Sequence, residues 1–144
     1  MQQYVLVLPF SRDGARVVTL LKDRGPMGVT GRWNFPGGKL EDHESTRIAA
    51  SRELYEETGL AIPPPRWLPM GSVQTSVGPI HVFTARYDID AARSCESERV
   101  EVRSVASLLA DIEERPEAFV AHFGRLLHDA CIVHGVRQPF AEAC

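Results

Sequence analysis

Cysteine is scarce in this chain. The three present, Cys95, Cys131 and Cys144, are odd in number and show no C-x-x-C spacing, so neither a disulfide framework nor a zinc site is indicated. A reducing, cytoplasmic setting suits them. Long hydrophobic runs are also missing: no stretch approaches the roughly 20 apolar residues that a membrane-spanning helix needs. The apolar run from Tyr4 to Phe10 has no basic lead and gives way to Ser11-Arg12-Asp13, which reads as a strand and not as a signal peptide. Nor is positive charge in excess. A net charge of −3 with a pI near 5.9 argues against tight binding to polymeric nucleic acid, which needs a basic stripe to displace counterions. The expected partner is therefore a small molecule, with no polymeric nucleic acid and no membrane.

At 144 residues and 44% hydrophobic content, the chain is long enough for one core and too short for two ordinary domains, so residues 1–144 are expected to form a single domain. Internal repeats and disordered linkers are absent; only the residues from about Gln138 are expected to fray.

What is present is concentrated in residues 38–60, GKLEDHESTRIAASRELYEETGL. The spacing predicts a helix from about Ser45 to Thr58, with Ser45 as N-cap and Gly59 as the residue after its C-terminus, free to take positive φ. At about 100° per residue, Glu56 and Glu57 lie roughly 60° to one side and 40° to the other of Glu53, so three carboxylates share one stripe. Ile48, Ser51, Leu54 and Tyr55 fall opposite, where they are expected to pack on a core. Negative charge in the last two helical turns opposes the macrodipole and calls for a cation. Arg52, one turn before Glu56, is one counter-charge, and its planar fork can hold that carboxylate. One arginine does not neutralise three acids. Hard divalent cations prefer oxygen ligands, and Mg²⁺ is commonly held by one or two carboxylates together with substrate phosphates.

Gly38, Glu44, Arg52, Glu53, Leu54, Glu56, Glu57, Gly59 and Leu60 together resemble a complete Nudix box, and Trp33-Asn34-Phe35-Pro36-Gly37 resembles its usual lead-in. A chance match in a chain of this length is on the order of 10⁻⁸. The resemblance implies an α/β fold: an α/β/α sandwich with a mixed central sheet and a loop-helix-loop catalytic motif. It also implies a hydrolase that cleaves a nucleoside diphosphate linked to another group, with Mg²⁺ or Mn²⁺ as cofactor. By that analogy Glu53, Glu56 and Glu57 are metal ligands, with a backbone carbonyl of Gly37 or Gly38 contributing. Arg52 orients a box carboxylate, and Glu44 braces the loop or acts through water. Members of the family differ over the source of the general base, so Glu56 competes here with Glu98 and Glu101. The acidic run that holds the latter two otherwise reads as a solvated loop and the start of a strand.

Around the box, Tyr4 to Phe10 and Val17 to Leu21 read as a β-hairpin. Ile62-Pro-Pro-Pro-Arg66 reads as a rigid extended connector, Trp67 to Val77 and Ile80 to Asp88 as strands, and Val100 to Val105 as a short strand leading towards helical sequence. From Pro116 onwards Phe119, Phe123, Leu126, Leu127, Ala130 and Cys131 recur at helical spacing, which predicts an amphipathic terminal helix. Its apolar face is expected to pack on the sheet; an exposed remainder leaves monomer and homodimer both open. His122, His128 and His134, six residues apart, do not share a face, which argues against a metal cluster.

Markers that distinguish ADP-ribose, NADH, coenzyme A or dinucleoside polyphosphate members are missing. The substrate expected is a nucleoside or deoxynucleoside triphosphate, including oxidised forms such as 8-oxo-dGTP, with monophosphate and pyrophosphate as products. Arg24, with Lys22, is placed to meet phosphate, and Lys39 stays near the box. Trp33 or Phe35 is placed either to stack on a base or to pack in the core. The alternatives are a non-catalytic nucleotide-binding sensor, from which lost box acids would be expected, and a hydrolase of another substrate such as ADP-ribose or a nucleotide sugar. An isoprenyl diphosphate isomerase would need a catalytic cysteine in a context that this chain does not offer.

Overall fold

The computed structural model describes residues 1–23, 25 and 29–136. Arg24, Cys144 and the tail from Gln138 lie outside the described residues.

Strand β1 (Tyr4–Phe10) is the centre of a seven-stranded mixed sheet. Its side chains alternate between two buried faces, Val5 and Val7 on one and Leu6, Leu8 and Phe10 on the other. A strand covered on both faces reads as a continuous apolar run, which is what Tyr4 to Phe10 shows in the sequence. β1 runs parallel to β6 (Gly78–Arg86) from Tyr4↔Ile80 to Phe10↔Arg86, and β6 pairs antiparallel with β5 (Leu68–Thr75). On its other edge β1 meets β2 (Arg16–Leu21) at Phe10↔Val17 and β4 (Gly37–Lys39) from Tyr4↔Lys39 to Leu6↔Gly37. β2 also pairs with β3 (Trp33–Asn34) and, antiparallel over its whole length, with β7 (Arg99–Ser104). Gly37 lies against β1 so closely that a Cβ there would stand 2.2 Å from the Val5 carbonyl oxygen. Only glycine permits that approach.

Helix α1 (Thr46–Thr58) covers the face carrying Val5, Val7, Val18, Trp67 and Phe83. Its ends are those the sequence predicts: the Ser45 hydroxyl accepts the Ile48 N–H, and Gly59, at φ 77°, donates its N–H to the Tyr55 carbonyl. The buried stripe differs from the expected one. Ala50, Leu54, Glu57 and Thr58 face the sheet, with Ala49, whereas Ile48 and Tyr55 are 53% and 60% exposed. Two small alanines let the helix sit close to β1, and this rotation turns the outer apolar pair to solvent. Ser51 lies at the boundary, accepting from Trp67 Nε1 at 2.9 Å and donating to the Ile62 carbonyl at 2.6 Å. These bonds tie the helix to the proline connector, whose last part, Pro64–Arg66, is a 3₁₀ turn and not extended chain.

The other face is covered by α2 (Val105–Glu114) and α3 (Phe123–His134). The terminal helix therefore begins seven residues after Pro116. Pro116–Ala118 form only a 3₁₀ turn, and the chain then extends so that Val120 N–H reaches the Trp33 carbonyl at 3.0 Å. Pairing with β3 takes precedence over helical spacing. α2, which the sequence left as an unresolved helical tendency, is capped by Ser104, whose side chain accepts from Ser107 N–H. Phe35 is 1% exposed and stacks on Phe123 with ring centroids 4.2 Å apart. Of the two alternatives left open for Phe35, stacking on a base or packing in the core, the structure has it packed in the core. Phe35→Ala is expected to cost about 3–5 kcal/mol of stability, the range for a truncated core aromatic, measured as a shift in the urea unfolding midpoint.

Candidate active site

Three elements converge at the C-terminal half of α1: the helix itself, the β4 glycines, and the end of the β2–β7 ladder. Arg52 stands at the middle. A guanidinium has five N–H donors, and here all five are engaged. Nε donates to Glu44 Oε2 at 2.7 Å, and Nη2 donates to Glu44 Oε1 at 2.8 Å and to the Lys39 carbonyl at 3.0 Å. Nη1 donates to Glu53 Oε1 at 3.0 Å and Glu56 Oε1 at 2.7 Å. Glu44 in turn accepts the Glu41 N–H at 2.9 Å, so this acid braces the loop before the helix. The Arg52 fork holds the Glu44 carboxyl below the usual carboxylate range, and its hydrogen bonds raise Arg52 still further into the charged state.

The three helix acids differ sharply in setting. Glu56 has 43% of its side chain exposed and Glu53 17%. Glu57 is 4% exposed, lies in the stripe continued from Ala50 and Leu54, and accepts the Gly37 N–H at 2.8 Å. The expected stripe of three carboxylates thus runs from solvent inwards. Burial pushes Glu57 up to about 8, partly offset by the Gly37 hydrogen bond and the charge of Lys22. Burial also raises Glu53, with Arg52 opposing and Glu56 and Glu96 adding to it. Gly38 faces Glu53 so closely that a Cβ would stand 2.5 Å from its carboxyl carbon.

β7 separates the two acids outside the helix. The β2–β7 register pairs Leu20↔Val100 and Leu21↔Arg99, so the next rung is Lys22 opposite Glu98. Strand alternation puts Lys22 and Glu98 on the α1 face with Val18, Val100 and Val102. Glu98 is 7% exposed, not solvated, and its charge, like that of Lys22, is felt at Glu57. Glu101, opposite Thr19, falls on the α2 face, where Arg103 of the same parity bonds Ser107 and Asp111. As a general base beside the box, Glu101 is therefore corrected.

Of the remaining candidates, Gly37 and Gly38 lie within β4, adjoining Glu57 and Glu53. Lys39 is exposed and contributes its carbonyl to Arg52. Trp33 is half-buried on β3, its carbonyl taken by Val120. Of the acidic run before β7, Glu96 also reaches the box, its charge being felt at Glu53, although nothing in the sequence singles it out from its acidic neighbours. His122, expected not to join a metal cluster, has a buried Nε2 with no hydrogen-bond partner among the described residues. Among the described residues no three acidic, histidine or cysteine side chains are arranged to enclose a metal ion as they stand. The reason is local: Arg52 takes the facing oxygens of Glu53 and Glu56, and Gly37 takes one of Glu57. The donor set nevertheless fits a hard cation. It offers carboxylate oxygens, with the proton affinity raised at buried Glu57 and at half-buried Glu53, beside a glycine cradle that a Cβ would fill.

The NUDIX domain family matches residues 2–123. The chain belongs to the Nudix family. Among curated relatives, an 8-oxo-dGTP diphosphatase of Proteus vulgaris is 56% identical over 32 residues, covering 22% of this chain and 29% of the relative. An oxidized purine nucleoside triphosphate hydrolase of Mus musculus is 44% identical over 59 residues, covering 41% of this chain and 35% of that one. The matches thus span about a third of each relative's length. Among solved structures, the NUDIX domain of Shewanella oneidensis NrtR, in complex with ADP ribose, superposes with a TM-score of 0.73 at 21% identity, covering 92% of this chain and 87% of that one. A MutT chain from work on Aliivibrio salmonicida and Vibrio cholerae gives 0.63 at 21% identity, over 78% and 84% of the two chains. The fold is the α/β Nudix fold, and no helix among the described residues is long and apolar enough to cross a membrane.

A buried carboxylate with a raised pKa makes metal-free stability depend on pH in a defined sense. Below its ordinary 4.5 both folded and unfolded chains hold the Glu57 proton; between there and about 8 the unfolded chain releases it first. Metal-free protein is therefore expected to lose about 5 kcal/mol of stability as pH rises across that window. Glu57→Gln is expected to flatten the loss. Urea unfolding at intervals from pH 4.5 to 8.5, in chelator, measures both.

Proposed function

We propose that this protein is a metal-dependent Nudix pyrophosphohydrolase acting on a nucleoside or deoxynucleoside triphosphate, including oxidised purine forms of the 8-oxo-dGTP type, and releasing monophosphate and pyrophosphate. The observation that carries the reading is the graded set of box carboxylates, complete and organised by Arg52. A module that only bound nucleotide would gain nothing from burying an acid as deeply as Glu57. The likeness to 8-oxo-dGTP and oxidised purine nucleotide hydrolases supports the substrate class.

Glu53, Glu56 and Glu57, with a carbonyl of Gly37 or Gly38, are the residues that would hold Mg²⁺ or Mn²⁺. When bound, the metal supplies charge neutralisation of the diphosphate and acidification of the attacking water. Hydrolysis forms one P–O bond from water and breaks the P–O bond to the departing pyrophosphate, and the water's proton passes to a carboxylate. Glu56, the most exposed of the three, is placed to take it, with Glu98 the other candidate. Arg52 keeps Glu53 and Glu56 aimed to one side of the helix, and Gly37 fixes Glu57. Lys22, on the α1 face, is the candidate to meet phosphate and Trp33 the candidate to meet the base; Arg24, two residues after Lys22 in the sequence, is the second phosphate candidate. Free Cys95 and Cys131 fit a reducing cytoplasm.

A panel of canonical and oxidised nucleoside triphosphates, ADP-ribose and nucleotide sugars, assayed with Mg²⁺ for released pyrophosphate or phosphate, tests the reading. Turnover is expected with oxidised or ordinary triphosphates, and Glu57→Gln is expected to lower it at least about a hundredfold. Turnover restricted to ADP-ribose or a nucleotide sugar would move the substrate class. Tight binding of a panel member with no turnover would favour a sensor.

A further inference from the structure

Glu98 stands one rung beyond the last paired residues of the β2–β7 ladder, opposite Lys22. Both of its oxygens are already engaged. Oε1 lies 3.3 Å from Lys22 Nζ, and Oε2 accepts the Asp23 N–H at 3.1 Å. Only 8% of its side chain is exposed, against 43% for Glu56, so little of it faces the water that a proton acceptor must meet. Lys22 is held from the backbone as well: its N–H donates to the Arg32 carbonyl, and its own carbonyl accepts from Gly31. The residue is thereby fixed at the root of the β2–β3 connection, and its ammonium is drawn to the face that α1 covers.

We propose that Glu98 is a positioning residue and not the general base: it closes the β2–β7 ladder as a cross-strand ion pair, holds the Lys22 ammonium on the box side of the sheet, and pins the Asp23 amide at the start of the β2–β3 connection. Opposite charges directly across an antiparallel pair stabilise it, and here the pair also sets where a cation stands beside Glu57. The consequence for the reaction rests on the pyrophosphohydrolase reading above. Loss of Glu98 lets Lys22 wander, which weakens binding of an anionic substrate and leaves the proton transfer intact.

The test compares wild type with Glu98→Gln, Glu98→Ala, Lys22→Met and the Lys22→Met/Glu98→Gln double variant. Gln keeps an acceptor for the Asp23 amide while removing the negative charge that faces Lys22. On the nucleotide that the wild type turns over best, Glu98→Gln is expected to raise KM about 10-fold and lower kcat by less than about 3-fold, with the acid limb of the kcat–pH profile unmoved. Lys22→Met is expected to match it, and the double variant to be no worse than the poorer single one. A kcat loss of about 100-fold or more in Glu98→Gln, with the acid limb gone, would overturn the proposal and make Glu98 the base. An activity-free readout is hydrogen exchange at the Asp23 amide: slow in wild type and Glu98→Gln, fast in Glu98→Ala. Equal rates in all three would also overturn it. If no panel member were hydrolysed, the functional reading would fail while the exchange rates still decided the anchor.

Discussion

The structure of the site depends on one arginine holding three acids at once. Arg52 saturates its donors with Glu44, Glu53, Glu56 and the Lys39 carbonyl, and so joins the loop before α1, the helix and the end of β4 into one unit. Carboxylates this close repel, at about 3 kcal/mol per pair at 6 Å and an effective dielectric near 20, and the guanidinium offsets that for the outer two. It does not reach Glu57. That residue is left with one backbone N–H, a lysine at longer range and a high proton affinity. Arg52 therefore balances the charge of the outer helix while leaving an inner carboxylate whose charge needs another cation.

Much of this was legible in the sequence, and the reasons are local. Ser45 and Gly59 specify helix ends through their own backbone and hydroxyl chemistry, so α1 begins and ends where expected. The Arg52–Glu56 pair follows from i, i+4 geometry. What the sequence did not carry was rotation and depth. Ile48 and Tyr55 looked like core residues by type, but Ala49 and Ala50 let the helix approach β1 on a different side, and Glu57 went inwards with them. Residue type suggested an exposed acid. Packing against Gly37, which only β1 explains, put it in the interior.

The other departures are tertiary in origin. Helical spacing from Pro116 onwards was real from Phe123, but the stretch before it was recruited by β3 through Val120. Glu98 and Glu101 are indistinguishable in a run of acids. Strand parity sends one to α1 and the other to α2, and parity becomes visible only when the register against β2 is known. Phe35 and Trp33, two residues apart, adjoin the same apolar cluster at different depths, Phe35 stacked on Phe123 and Trp33 half-buried at its margin.

The same contrast appears in the comparisons. Close identity to curated hydrolases is confined to short stretches, while the fold extends over 92% of the chain against a protein only 21% identical. A demanding charge arrangement constrains particular residues, whereas a mixed sheet between helix layers tolerates wide exchange of its apolar side chains. The most direct test of the central claim is calorimetric titration of metal-free protein with Mg²⁺ or Mn²⁺ near pH 7, repeated in buffers of different ionisation enthalpy. Binding accompanied by release of about one proton is the expected result, since Glu57 must lose its proton to meet a cation. Absence of binding, or binding that Glu57→Gln leaves unchanged in affinity and proton release, would contradict the account.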